Sequence, residues 1–121
     1  MAEAHELGQT GEDIAAGYLK KKGYKILRKN WKSGRLEVDI IAENNEFLIF
    51  VEVKTRSADF KVHPVDSVSR EKQRSLILAA DNFIKWNDTG KECRFDIVTV
   101  IRDKNNFEVD HIENAFYPTL R

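Results

Sequence analysis

RLEVDIIAENNEFLIFVEVKTR, residues 35 to 56, decides the fold, because apolar and charged residues alternate on both sides of Asn44-Asn45. Alternation with a period of two marks β-strands, whose successive side chains point to opposite faces. The stretch reads as two antiparallel strands joined by a two-residue turn at Asn44-Asn45. On the first strand Leu36, Val38, Ile40 and Ala42 share one face, and Arg35, Glu37, Asp39 and Ile41 the other. On the second, Phe47, Ile49, Val51 and Val53 alternate with Leu48, Phe50, Glu52 and Lys54. Such a turn pairs Glu43 with Glu46 and sets Asp39 opposite Phe50 and Glu37 opposite Glu52. Asp39 and Glu52 are then diagonal neighbours, roughly 7 to 8 Å apart at the backbone.

Like charges facing one another across strands destabilise a sheet. A hard divalent ion such as Mg2+, held by one or two carboxylates together with water and substrate phosphate, removes that repulsion. Lys54, on the same face as Glu52, would then stand beside the bound phosphate. The alternative is a hairpin whose charged face is simply open to water. Against it stand Ile41, Leu48 and Phe50 on that face, which imply a covered region with carboxylates at its margin, as in a cleft.

Asp39, twelve intervening residues, Glu52, one residue and Lys54 together resemble the D…(D/E)-x-K signature of the PD-(D/E)xK nucleases, the restriction-endonuclease-like superfamily. More closely, the chain resembles the small bacterial YraN family of predicted endonucleases, similar to Holliday junction resolvases. The segments that carry this are GQTGEDIAAGYLKKKGY, RLEVDIIAE, FVEVKTR, the helix around Lys72 to Phe83, RFDIVTV and IENAF. The resemblance implies a metal-dependent nuclease with catalytic Asp39, Glu52, Lys54 and Glu12. Asp39, Glu52, Glu12 and a backbone carbonyl near Val53 would hold Mg2+ or Mn2+, and Glu37 would support the site. Leu36 departs from the family, which commonly has glycine there. The comparison with resolvases, which cut two strands symmetrically, implies a homodimer by analogy.

On the N-terminal side, residues 5 to 22 read as a helix with Leu7, Ile14, Ala15, Tyr18 and Leu19 in its apolar stripe, ended by Gly23. Glu12 lies three, four and seven residues before Ala15, Ala16 and Leu19, so it points close to the packed side. A carboxylate there needs a partner; the other reading is an acidic residue favoured by the helix dipole. Tyr24 to Leu27 reads as a short strand, and Asn30 to Gly34 as turn chemistry.

On the C-terminal side, Thr55 to Val65 reads as a loop whose Arg56 and Lys61 either contact a phosphate backbone or are simply solvated. Residues 67 to 86 read as the second helix, with Asp66, Ser67 or Ser69 as cap and Val68, Leu76, Ala79, Ala80 and Phe83 as its stripe. Lys72 lies over that stripe with its tip free to reach a cleft. With the more outward Arg70 and Arg74, it is a candidate for nucleic-acid contact. Arg94 to Ile101 reads as a central strand and Phe107 to Ile112 as a shorter one, joined by a turn at Asp103 to Asn106. The order α-β-β-β-α-β-β makes an α/β fold with a mixed β-sheet flanked by helices, consistent with a restriction-endonuclease-like core.

With 121 residues the chain reads as one domain, 1–121. No apolar run approaches the roughly 20 residues of a membrane span, and the N-terminus lacks a signal-peptide pattern, so a cytoplasmic protein without membrane partners is expected. The single Cys93 and the scattered His5, His63 and His111 make no zinc spacing. Twenty basic and twenty acidic residues give a net charge of zero. That argues against tight, unaided binding of long duplex, because affinity for nucleic acid comes largely from basic surface. Two functions are therefore carried forward: a nuclease acting on nucleic acid, DNA by resemblance, and a non-catalytic nucleic-acid-binding or adaptor module that keeps the same fold.

Overall fold

The apolar runs around Ile40, Ile49 and Val98 leave neither face of a strand in water, and each becomes a strand buried on both sides. The computed structural model describes residues 2–58 and 68–116, with the backbone alone for residues 2–9. Its elements are α1 (Ala2–Lys21), β1 (Lys25–Ser33), β2 (Leu36–Glu43), β3 (Phe47–Ser57), α2 (Arg70–Trp86), β4 (Glu92–Asp103) and β5 (Asn106–Phe116). The strands form one sheet in the order β1-β2-β3-β4-β5. All pairs are antiparallel except β3 and β4, which are parallel. A parallel pair cannot be joined by a tight turn, and α2 lies in that connection. This is the expected α/β architecture, a mixed sheet flanked by helices. No helix among the described residues is long and apolar enough to cross a membrane.

One helix covers each face. On one side Ala15, Ala16 and Leu19 of α1 pack on Ile40, Ala42, Ile49, Val51, Val98 and Val100. On the other, Leu76, Ala79, Ala80 and Phe83 of α2 pack on Val38, Ile41, Leu48, Phe50, Phe95 and Ile97. Ser69 caps α2 by accepting from the Lys72 N–H at 3.1 Å, the third of the candidate caps. Cys93 is half-buried beside the α2 cluster, and burial pushes its thiol up.

Several expected boundaries shift. The first strand continues through Trp31 to Ser33, and the turn is the two-residue Gly34-Arg35, with Ser33 paired to Leu36. Gly34 takes φ +61°, which such a turn requires. Thr55 and Arg56 belong to β3 rather than to a loop; Lys61 and His63 lie outside the described residues. The last strand extends to Phe116.

The central hairpin differs in register from the expectation. Glu43 pairs with Leu48, Ala42 with Ile49, Ile41 with Phe50 and Ile40 with Val51, a displacement of two residues. The cause is Asn44, whose side-chain oxygen accepts from the N–H groups of both Glu46 (2.9 Å) and Phe47 (2.7 Å) while its own N–H donates to the Phe47 carbonyl (3.0 Å). That Asx geometry makes a four-residue loop. The strand faces also change at Asp39. Leu36 and Val38 pack with Ile41 in the α2 layer, whereas Ile40 and Ala42 pack under α1.

A buried polar network ties the turn between α1 and β1 to β4 and β5 on the α1 side. Asp96 Oδ1 accepts from Arg94 Nε (2.9 Å) and the Asn114 N–H (3.0 Å); Oδ2 accepts from Arg94 Nη2 (2.8 Å) and His111 Nε2 (2.7 Å). Arg94 also donates to the Tyr24 hydroxyl at 2.6 Å, and Lys22 meets His111 Nδ1 at 3.2 Å. Burial alone would raise the Asp96 carboxyl, but these hydrogen bonds outweigh it and hold the group below the ordinary carboxylate range.

Candidate active site

The site begins where the β2–β3 ladder ends. From Glu43↔Leu48 to Ile40↔Val51 the two strands are paired. Beyond that, β2 follows β1, with Val38 against Trp31 and Glu37 against Lys32, while β3 follows β4 as far as Ser57↔Arg102. The strands part at Asp39 and leave a slot between them. Past the last pair with β2, the half-buried Val53 N–H donates to Asp39 Oδ2 at 2.8 Å, which gives this strand N–H the partner that β2 no longer supplies.

The register displacement puts Asp39 and Glu52 each one residue beyond the last paired position, Ile40↔Val51, in place of the diagonal expected from a two-residue turn. Its even value leaves the faces of β3 unchanged, so Glu52 and Lys54 still share the α2 side with Phe50. Glu52 is buried, 5% exposed. Its Oε2 lies 3.3 Å from Lys54 Nζ. Its Oε1 lies 3.8 Å from Lys72 Nζ, within ion-pair reach but too long for a hydrogen bond, and has no hydrogen-bond partner among the described residues. Lys72 stands at the first turn of α2, where Ser69 receives its N–H.

Asp39 titrates far from its ordinary range. Burial, and then the Glu52 carboxylate, push it up to about 7, with Glu12 adding to the rise and the Val53 N–H and Lys72 opposing it. Glu12 comes from α1 and Lys72 from α2, on opposite faces of the sheet. Both act on the one carboxylate of Asp39.

Glu12 is half-buried, and the residue before it explains how α1 comes so close. A Cβ at Gly11 would run into Thr55 Oγ1 of β3, so only glycine permits this approach. Among the described residues no three His, Cys, Asp or Glu side chains gather into a metal cage. The structure thus brings Asp39 and Glu52 together, and Glu12 joins them as a charge rather than as a third wall. Glu37 turns away, with Oε2 3.7 Å from Lys32 Nζ on β1. Leu36 packs against the α2 cluster. Arg56 donates to the Thr55 carbonyl at 3.0 Å, and Arg70 and Arg74 are exposed on α2. Lys61 lies outside the described residues.

The donor chemistry fits a hard divalent cation. Such an ion takes one or two carboxylates and completes its shell with water and substrate oxygens. The pair supplies two mutually repelling carboxylates, and Glu52 Oε1 is a buried acceptor with no donor. Sequence reasoning missed Thr99, whose buried Oγ1 also lacks a partner among the described residues. The run Ile97-Val98-Thr99-Val100 reads simply as an apolar strand, so the only signal is a hydroxyl where valine would serve.

A profile of the uncharacterised protein family UPF0102 matches residues 11–100, which takes in Glu12, Asp39, Glu52, Lys54 and Thr99. A UPF0102 protein of Bacteroides fragilis is 48% identical over 121 residues, covering 99% of this chain and 99% of its own. One from Parabacteroides distasonis is 45% identical over 121 residues, covering 100% of both. One from Flavobacterium psychrophilum is 43% identical over 117 residues, covering 97% and 98%.

Proposed function

We propose that this chain, which belongs to the uncharacterised protein family UPF0102, is a metal-dependent hydrolase of nucleic-acid phosphodiester bonds. The observation that carries the proposal is the slot at Asp39. There the half-buried Asp39 and the buried Glu52 repel each other, one oxygen of Glu52 has no donor among the described residues, and two lysines converge on the same group. A structural ion pair has no use for an excess acceptor; a phosphate-handling site does.

Asp39 and Glu52 would hold Mg2+ or Mn2+, with a backbone carbonyl near Val53. When bound, such an ion offsets their repulsion and stabilises charge that develops on the phosphoryl oxygens. The Val53 N–H fixes the Asp39 carboxylate through Oδ2 and leaves Oδ1 as a free acceptor. Lys54 orients the attacking water and draws negative charge from the phosphate, held in place by Glu52 Oε2. Lys72 brings a second cation from the α2 side for the substrate backbone, and Glu12 increases the pull of the slot for cations.

A net charge of zero favours a second reading, an adaptor that binds nucleic acid without cutting it. One experiment separates the two. Mn2+ and Mg2+ are titrated calorimetrically into wild type and Asp39→Ala, and both proteins are assayed, with Lys54→Ala, on four-way, flapped, linear and single-stranded substrates. The expected result is metal binding and cleavage by wild type, loss of both in Asp39→Ala, and a Lys54→Ala protein that binds metal but cuts about 100-fold or more slowly. Metal-independent binding without cleavage on any substrate would establish the adaptor instead.

A further inference from the structure

Two buried side-chain oxygens among the described residues lack a hydrogen-bond partner, Glu52 Oε1 and Thr99 Oγ1. They belong to one place. In the parallel register of β3 and β4, Lys54 is paired with Thr99 and Glu52 with Ile97. Phe95 and Ile97 pack in the α2 layer, while Val98 and Val100 pack under α1, so alternation turns Thr99 toward the α2 side. That is the side of Glu52, Lys54 and Lys72. Adjacent strands lie about 4.8 Å apart, which sets the Thr99 hydroxyl beside the Lys54 stem.

Thr99 is 4% exposed. Valine has the same branched shape and fills the strand positions on either side, so packing does not call for a hydroxyl. A buried hydroxyl left without a partner costs roughly 1–3 kcal/mol. The sheet carries this cost at the one β4 position paired with Lys54.

We propose that Thr99 is a positioning residue of the slot: its hydroxyl accepts a hydrogen bond from the water that Lys54 orients and holds that water's lone pair toward the phosphorus. The proposal rests on the hydrolysis reading. Thr99 exchanges no proton and forms no bond to the substrate. It removes rotational freedom from the nucleophile, and misplacing a reacting group by about 1 Å can cost 100-fold.

Thr99→Val and Thr99→Ser in the full chain test this in two ways. In metal-free buffer with chelator, thermal unfolding of Thr99→Val is expected at or a few degrees above wild type, because a partnerless hydroxyl has been removed. In cleavage with Mg2+ or Mn2+, its kcat is expected to fall about 10- to 100-fold with KM within about twofold, and Thr99→Ser to restore most of the rate. A Thr99→Val protein that melts several degrees lower, or cuts at the wild-type rate, overturns the proposal and leaves the hydrolysis reading standing. A wild-type protein that cuts no substrate overturns the hydrolysis reading, and this inference with it.

Discussion

Asp96 and Asp39 lie on neighbouring parts of one sheet, and burial pushes both carboxyls upward, yet they titrate in opposite directions. Asp96 accepts four hydrogen bonds, two of them from Arg94, and is held below the ordinary range. Asp39 accepts one, from the Val53 N–H, faces Glu52, and is pushed up to about 7. The difference teaches that partners rather than depth set the state of a buried carboxylate. A network closed on itself, as around Asp96, holds elements together. An acceptor-rich slot, as around Asp39, is suited to an outside cation.

The largest expected effect comes from breaking the closed network. Asp96→Ala leaves Arg94 and His111 buried without their carboxylate and is expected to destabilise the protein by about 3–5 kcal/mol, measured by urea unfolding. A loss below about 1 kcal/mol would remove the contrast between the two aspartates.

Next comes pH, where the two carboxylates act with opposite sign. The folded-state value of Asp96 is depressed, so its contribution is present above its unfolded value near 3.8 and is lost as pH falls through the lower folded value. The folded-state value of Asp39 is raised, so between about 4 and about 7 the folded protein binds the extra proton and stability falls as pH rises. Asp39→Asn is therefore expected to stabilise the metal-free protein at pH 8, by at most about 4 kcal/mol, and to change it little at pH 4. Melting curves across that range with chelator present check this; a destabilised Asp39→Asn at pH 8 would mean the slot is a structural pair after all.

The smallest effect marks the boundary of the site. Glu37 and Lys32 are 42% and 69% exposed in their side chains, and exposed ion pairs contribute little. Glu37→Gln is expected to change stability by less than about 0.5 kcal/mol and to leave metal affinity as in wild type. A large fall in metal affinity would extend the slot across β2.

The elements themselves were legible in the order of residues. The stripe Ala15, Ala16, Leu19 and the period-two runs at 36–43 and 47–54 report local geometry that each segment carries within itself. Glu52 with Lys54 on one face was legible too, because that pairing depends only on parity, and the register change was even. The Asn44 loop was not, since Asn-Asn suits a two-residue turn equally well; its side chain chose the longer one by taking two N–H groups. Nor was the Asp96 network. Arg94 and Asp96, two apart on a central strand, are a visible hint, but His111 and Tyr24 reach them only through the fold.

The sequence by itself determined the α/β order, the helix and strand periodicities and the identity of the acidic and basic residues at the slot. Only the tertiary structure decided that β2 and β3 part at Asp39, that Glu12 and Lys72 approach one carboxylate from opposite layers, and that Glu37 is left outside. The physical reason is that strand separation is a competition among neighbours across a sheet. β1 holds one side of the slot and β4 the other, and no local pattern in residues 35–56 encodes the outcome.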